Sequence, residues 1–287
     1  MRLKDFLRLT KDSVKSWQDD YAASMGAAIA FYTVFSIAPL LLIIIAVAGF
    51  IWGEDAVRGE IIGQLGGMVG TDGAAGVQAL VRGASEPAQG IAATVISIGV
   101  LIWGATRVFT ELQSSLDRIW KVPASARKSG ILNTLRARLL SFGLVLGMAF
   151  LLLVSLVVSA ALAALGHWAS GILPGWEALL LALNTLISLS IITVLFAMIF
   201  KFMPQAKIAW RDVWIGAAVT AVLFEVGKVL IAIYVGRSAA VSSLAAAGSL
   251  VAVLIWVYYA AQVFLLGAEF TWIYATQHGS HRAISRT

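Results

Sequence analysis

The stretch from Val213 to Val235, VWIGAAVTAVLFEVGKVLIAIYV, sets the terms for the whole chain. As a helix it reaches roughly 34 Å, enough to cross a hydrocarbon core of ~30 Å. Near its middle stand Glu225 and Lys228, three residues apart and so on one helix face. An ionisable residue at that depth is costly unless it is paired or meets water. Two readings follow: a structural ion pair that locks two helices, or a polar site in a translocation path.

Similar apolar runs recur along the chain. Of its 287 residues 60% are hydrophobic and 13% are charged, whereas a soluble domain carries about 25% charged residues. The expected fold is therefore all-α, a polytopic membrane protein with six transmembrane helices at about 27–52, 91–109, 139–165, 176–200, 213–235 and 249–274. With no cysteine, disulfides and thiol chemistry are excluded. The first apolar run begins beyond residue 20 and is too long for a signal peptide, so it is expected to remain as a span.

Residues 1–20 are expected to form a cytoplasmic amphipathic helix ahead of a transmembrane domain over 21–275 and a tail over 276–287. Leu3, Phe6, Leu7, Thr10, Val14 and Trp17 form one stripe and Lys4, Arg8, Lys11 and Lys15 another, the pattern of a helix in the interface of an anionic membrane. Pro39 is expected to kink the first span. The segment from Gly53 to Gly90 reads as a helical outer loop, bent at its many glycines rather than one long helix. The second span continues as an apolar stripe through Leu112, Leu116, Ile119 and Trp120, with Asp117 and Arg118 facing away. In the third span, Gly143 and Gly147 have the spacing for close helix approach.

Lys and Arg concentrate in the termini, the 110–138 loop and the 201–212 loop, while the 166–175 loop has none. The positive-inside rule then places both termini in the cytoplasm. It also accounts for the net charge of +6 without nucleic acid. No nucleotide-binding, zinc-protease or serine-hydrolase motif occurs, and no cofactor or metal is expected. His278 and His281 read as part of a flexible tail. The polar residues left in or near the membrane are Glu225, Lys228, Glu269, Arg107, Asn184 and Gln262. Together they could line an inward-facing polar cavity, with Arg107 either pairing with Glu111 or snorkelling to the interface.

The ordered set Ala28 to Leu41 (AIAFYTVFSIAPLL), Leu116-Asp117-Arg118-Ile119-Trp120, Met203-Pro204, Trp210-Arg211-Asp212, Phe224 to Lys228 (FEVGK) and Leu266 to Phe270 (LGAEF) resembles the YihY/virulence factor BrkB family of bacterial inner-membrane proteins, once labelled ribonuclease BN. The chain departs from the family at Ser238 to Gly248, which is alanine- and serine-rich. The resemblance implies a six-helix inner-membrane protein similar to transporters and connected with envelope lipid export and serum resistance. The expectation is a multi-pass protein, not an enzyme, that carries a small or amphipathic, lipid-like solute. Its expected partners are membrane lipids and that solute, with a homo-oligomer left open. The rivals are a non-transporting scaffold of envelope assembly and a membrane-bound ribonuclease.

Overall fold

The computed structural model describes residues 3–85, 91–123, 176–237 and 245–281. The expected third span with Gly143 and Gly147 lies outside the described residues, as do His167 and the 124–138 loop. All regular structure among the described residues is helical: α1 Leu3–Asp19, α2 Ala22–Trp52, α3 Glu54–Ser85, α4 Ile91–Ile119, α5 Trp176–Phe202, α6 Trp210–Arg237 and α7 Ala245–Gln277. Among the described residues two segments are long and apolar enough to cross a membrane, Ala182–Phe202 in α5 and Leu250–Gln277 in α7. A third is present if the pair Asp5–Asp19 and Ala22–Ala38, bent by 68°, counts as one span.

Helix α7 is the hub. It packs against α1, α2, α3, α4 and α6, so the organising role expected of the 213–235 stretch belongs to its neighbour. Against α6 it runs antiparallel in a register set by small residues. Gly216 faces Thr271, and Gly267 faces Thr220. Each threonine hydroxyl donates to a carbonyl of its own helix, Thr220 Oγ1 to Gly216 O and Thr271 Oγ1 to Gly267 O, both at 2.7 Å. Each hydroxyl is thus satisfied locally while its oxygen, with the Cβ and methyl beside it, fills the hole left by the opposing glycine. In lipid, helices gain little from burying apolar surface against one another, so close packing of this kind must hold them.

Among the described residues two large apolar clusters form the core of the bundle. One gathers Met25 and Ile29 of α2, Leu116 and Ile119 of α4, Trp120, Phe200 of α5, Ala217 of α6 and Phe264, Leu265 and Ala268 of α7. The other lies towards the opposite end of α7, where Val253 and Val257 meet Val34 and Ile45 of α2 and Val57, Val77 and Val81 of α3.

Helix α3 folds back on itself, in keeping with the bends expected from its glycines: a β-carbon at Gly66 would lie 4.0 Å from Ala74 Cβ, and Arg58 and Ile61 line one cavity with Val77, Val81 and Arg82. A β-carbon at Gly59, Gly63 or Gly83 would meet nothing within 4 Å, so these glycines serve no tight turn. Each weakens a helix by about 1 kcal/mol relative to alanine. The turn that does need glycine is at Gly53, where φ is 87° and the N–H donates to Gly49 O at 2.8 Å. Pro39 lies within α2, whose helical assignment runs from Ala22 to Trp52; a separate bend of 68° divides α1 from α2 at Asp20 and Tyr21.

Helix α1 is amphipathic, as its two stripes imply. Its packed side is Leu9 and Ser13, both buried, with Leu9 against Phe270 and Tyr274 of α7. Phe6, Leu7 and Val14 of the expected apolar stripe remain exposed.

Candidate functional site

Glu225 and Lys228 form the ion pair that their spacing implies, with Lys228 Nζ 2.7 Å from Glu225 Oε2. Their side chains are 30% and 33% exposed. Beside them the backbone of α6 is closed off by Tyr259, which covers Gly227 and brings its hydroxyl to 3.5 Å from Leu223 O. Phe224 packs edge-on against Phe196 and Trp256, at 5.8 and 6.1 Å. The open face of α6 carries Val222, Val226 and Leu230, all exposed. The pair therefore stands at the border between the packed and the open faces, neither sealed in nor central to the apolar stripe.

Glu269 does not join them. The α6–α7 register places it near the Gly216–Thr220 turn, whereas Glu225 is level with Gln262. Glu269 belongs to a second polar cluster, at the α1–α2 bend. There it lies beside Ser16 and Asp20, with Lys121 in electrostatic reach. Its side chain is fully buried, and neither oxygen has a hydrogen-bond partner. Asp20 is held by Lys121, whose Nζ donates to Oδ1 at 2.6 Å and to Oδ2 at 2.5 Å.

Local backbone geometry delivers Lys121 to this cluster. The N–H groups of Lys121 and Val122 donate to Arg118 O at 3.0 Å and Asp117 O at 2.9 Å, the Schellman closure of α4. The closing residue is left-handed, with φ 51° at Lys121, where glycine is usual. Tyr21, next to Asp20, is also left-handed, with φ 56°. Two non-glycine residues in that region flank one ion pair, each at a cost of roughly 1–2 kcal/mol.

Around this cluster a polar layer ties the helix ends together. Asp117 is buried and accepts from the Gln205 N–H at 2.7 Å and from Gln205 Nε2 at 3.2 Å, so it faces inward, contrary to the expectation from the helical wheel. The carboxylate serves the linker that joins α5 to α6, whose exposed backbone donors the wheel does not represent. Asp212 is buried and accepts from Ser280 N at 3.0 Å and Ser280 Oγ at 2.6 Å. Lys201 Nζ donates to Ile208 O and lies 5.5 Å from the Trp210 ring centroid. The turn after α7 is ordered through His281, correcting the flexible-tail expectation for both histidines. His281 packs against Trp120 at 5.8 Å, and His278 stacks on Tyr274 at 6.0 Å. Trp120 in turn meets Trp272 edge-on at 5.4 Å.

The remaining expected residues are dispersed. Arg107 is exposed, its guanidinium 5.0 Å from the Trp103 ring and 5.8 Å from Tyr32, a cation–π setting in place of a pair with Glu111. Arg118 lies 5.9 Å from the Tyr21 ring. Gln262 covers Gly26 and donates from Nε2 to Ala23 O at 3.3 Å. Asn184 is half-buried in α5. A cavity of about 60 Å³ lies between α2 and α3, lined by Leu41, Ile45, Arg58, Ile61, Val77 and Arg82 among others, and contains none of the expected site residues. Among the described residues no three His, Asp or Glu side chains gather as a metal site.

Sequence reasoning missed Asp20 and Lys121, and noted Asp212 only as part of a family motif. Asp20 and Lys121 are 101 residues apart, and no periodicity links them. One local signal was present: the helical stripe of α4 stops at Trp120 and Pro123 follows, so a capping residue between them had to leave the helix.

The family described as virulence factor BrkB matches residues 13–286. A UPF0761 membrane protein of Ralstonia nicotianae, RSc1559, is 27% identical over 254 residues, covering 87% of this chain and 55% of that protein. NMB0524 of Neisseria meningitidis serogroup B, also named a UPF0761 membrane protein, is 26% identical over 225 residues, 78% of this chain and 52% of its own length. A third, from Verminephrobacter eiseniae, is 25% identical and covers 88% of this chain and 58% of itself. The chain thus spans just over half the length of each of these relatives. No solved structure matches it. A family match over nearly the whole chain, relatives named as membrane proteins and long apolar helices agree: the chain is a membrane protein of the virulence factor BrkB family.

Proposed function

We propose that this protein moves a small or amphipathic solute across the bacterial inner membrane, and that the Glu225–Lys228 pair lies on the path. The observation that carries this reading is the exposure of the pair, about a third of each side chain, halfway along a helix otherwise apolar at that level. The ion pair satisfies one side of each charge, and the open side is where water or a polar solute would stand. In this reading the chain crosses the membrane six times, with both termini cytoplasmic. Helix α1 lies in the inner interface with Phe6, Leu7 and Val14 towards lipid, and α3 forms the outer loop. The protein works without a cofactor and is not an enzyme; it contacts membrane lipids and does not bind nucleic acid.

Ligand-dependent stability tests the function. A solute that binds the folded protein stabilises it by mass action, by about 2.7 kcal/mol at one hundred times Kd, and so raises its unfolding midpoint. Purified protein screened against anionic lipids and polar solutes should show such a rise for at least one class, and Glu225→Gln should abolish it. No rise with any class, or an equal rise in Glu225→Gln, would remove the proposed path. Topology has its own check. A reporter active only in the periplasm should stay silent when fused after Arg286; a strong signal there would reverse the orientation.

A further inference from the structure

The least explained group in the molecule is the Glu269 carboxyl. It is 0% exposed, and both oxygens are buried without a hydrogen-bond partner. Ordinary packing does not tolerate this, because a buried charge persists only when a counter-charge and hydrogen bonds accompany it. Lys121 acts on Glu269 only through space: its ammonium donates to both oxygens of Asp20, and no hydrogen bond joins it to Glu269. The charged groups acting on Glu269 are Asp20 and Lys121, with the Ser16 hydroxyl beside it. Two carboxylates against one ammonium leave one negative charge uncompensated at the bend between α1 and α2.

We propose that Glu269, Asp20 and Ser16 form a binding site for a single monovalent cation, a proton or a sodium ion, which closes α7 onto the α1–α2 bend. Either ion supplies the missing single charge and occupies the idle oxygens of Glu269. A proton would sit on Glu269 and be shared with the Asp20 carboxylate. A sodium ion would take its ligands from the Glu269, Asp20 and Ser16 oxygens, the hard donors such an ion prefers. A divalent ion fits less well, because it would reverse the charge imbalance and no third acidic or histidine side chain stands there among the described residues. The site joins three separate parts of the chain: Ser16 and Asp20 at the bend, Lys121 at the end of α4, and Glu269 in α7. Occupancy therefore governs whether this end of the bundle is closed. The assignment does not depend on what the protein carries, or on whether it carries anything.

The test is thermal unfolding of the purified full chain at constant ionic strength, with choline chloride exchanged stepwise for sodium chloride, and separately with pH lowered from about 9 to about 6. An ion bound only by the folded state raises the midpoint. A rise of several degrees with sodium identifies sodium. A rise with falling pH and none with sodium identifies the proton. In either case the response should vanish in Glu269→Gln, whose neutral amide needs no cation, and shrink in Asp20→Asn. A parent protein that responds to neither ion overturns the proposal, as does a Glu269→Gln variant that responds like the parent. If Glu269→Gln does not fold, Asp20→Asn decides: an undiminished response there also overturns it.

Discussion

Replacing Gly267 with valine should leave almost no folded protein. A β-carbon at Gly267 would stand 2.8 Å from both Thr220 Cβ and Thr220 Cγ2, and one at Gly216 would stand 2.7 Å from Thr271 Cβ. Both lie within α6 and α7, whose backbones cannot move locally without parting along their length. Overpacking typically costs 1–3 kcal/mol, and the three carbons that valine adds exceed that range. Gly267→Ala alone should lower the unfolding midpoint clearly, and pairing it with Thr220→Gly should recover much of the loss by returning the space. Gel filtration and thermal unfolding of the detergent-purified variants measure this directly. A Gly267→Val protein that elutes and melts like the parent would mean that α6 and α7 do not cross where they are placed here.

Breaking the Glu225–Lys228 pair should have the opposite signature, a small effect on stability and a large one on function. A sealed pair that loses one partner strands a charge at a cost of about 3–5 kcal/mol. A pair as open as this one leaves the survivor accessible, and the cost falls towards the roughly 0–1 kcal/mol of a solvated pair. Glu225→Gln and Lys228→Met should therefore each fold close to normally and lose the ligand-dependent stabilisation. The double variant should not regain it. Large stability losses in both single variants, rescued in the double, would make the pair structural.

What could be read from residues alone follows from how far each interaction reaches along the chain. The Glu225–Lys228 pair is a three-residue relation within one helix and was legible. So were the spans of α5 and α7, which depend on continuous apolar length. The place of the bend between α1 and α2 was legible as well, where the amphipathic stripe ends near residue 20, but its angle was not, because Asp20 and Tyr21 carry no proline or glycine to mark it. Its geometry is stabilised from outside, by Lys121. Asp117 was misjudged because the helical wheel of α4 cannot see Gln205, 88 residues later. The expected union of Glu269 with Glu225 failed for a related reason. Depth along each helix can be estimated from sequence, but the relative stagger of α6 and α7 is set by the Gly216–Thr271 and Gly267–Thr220 contacts, which appear only once the helices are paired.

The most direct measurement on the proposed path uses the absence of native cysteine. Single cysteines placed from Val222 to Leu230, in protein held in membranes, are treated with a small hydrophilic thiol reagent. The account predicts rapid labelling at positions 225 and 228, and protection at 222, 226 and 230, where the open apolar face of α6 meets lipid. Protection at 225 and 228 in folded protein would contradict it, since no water-filled path could then pass the pair.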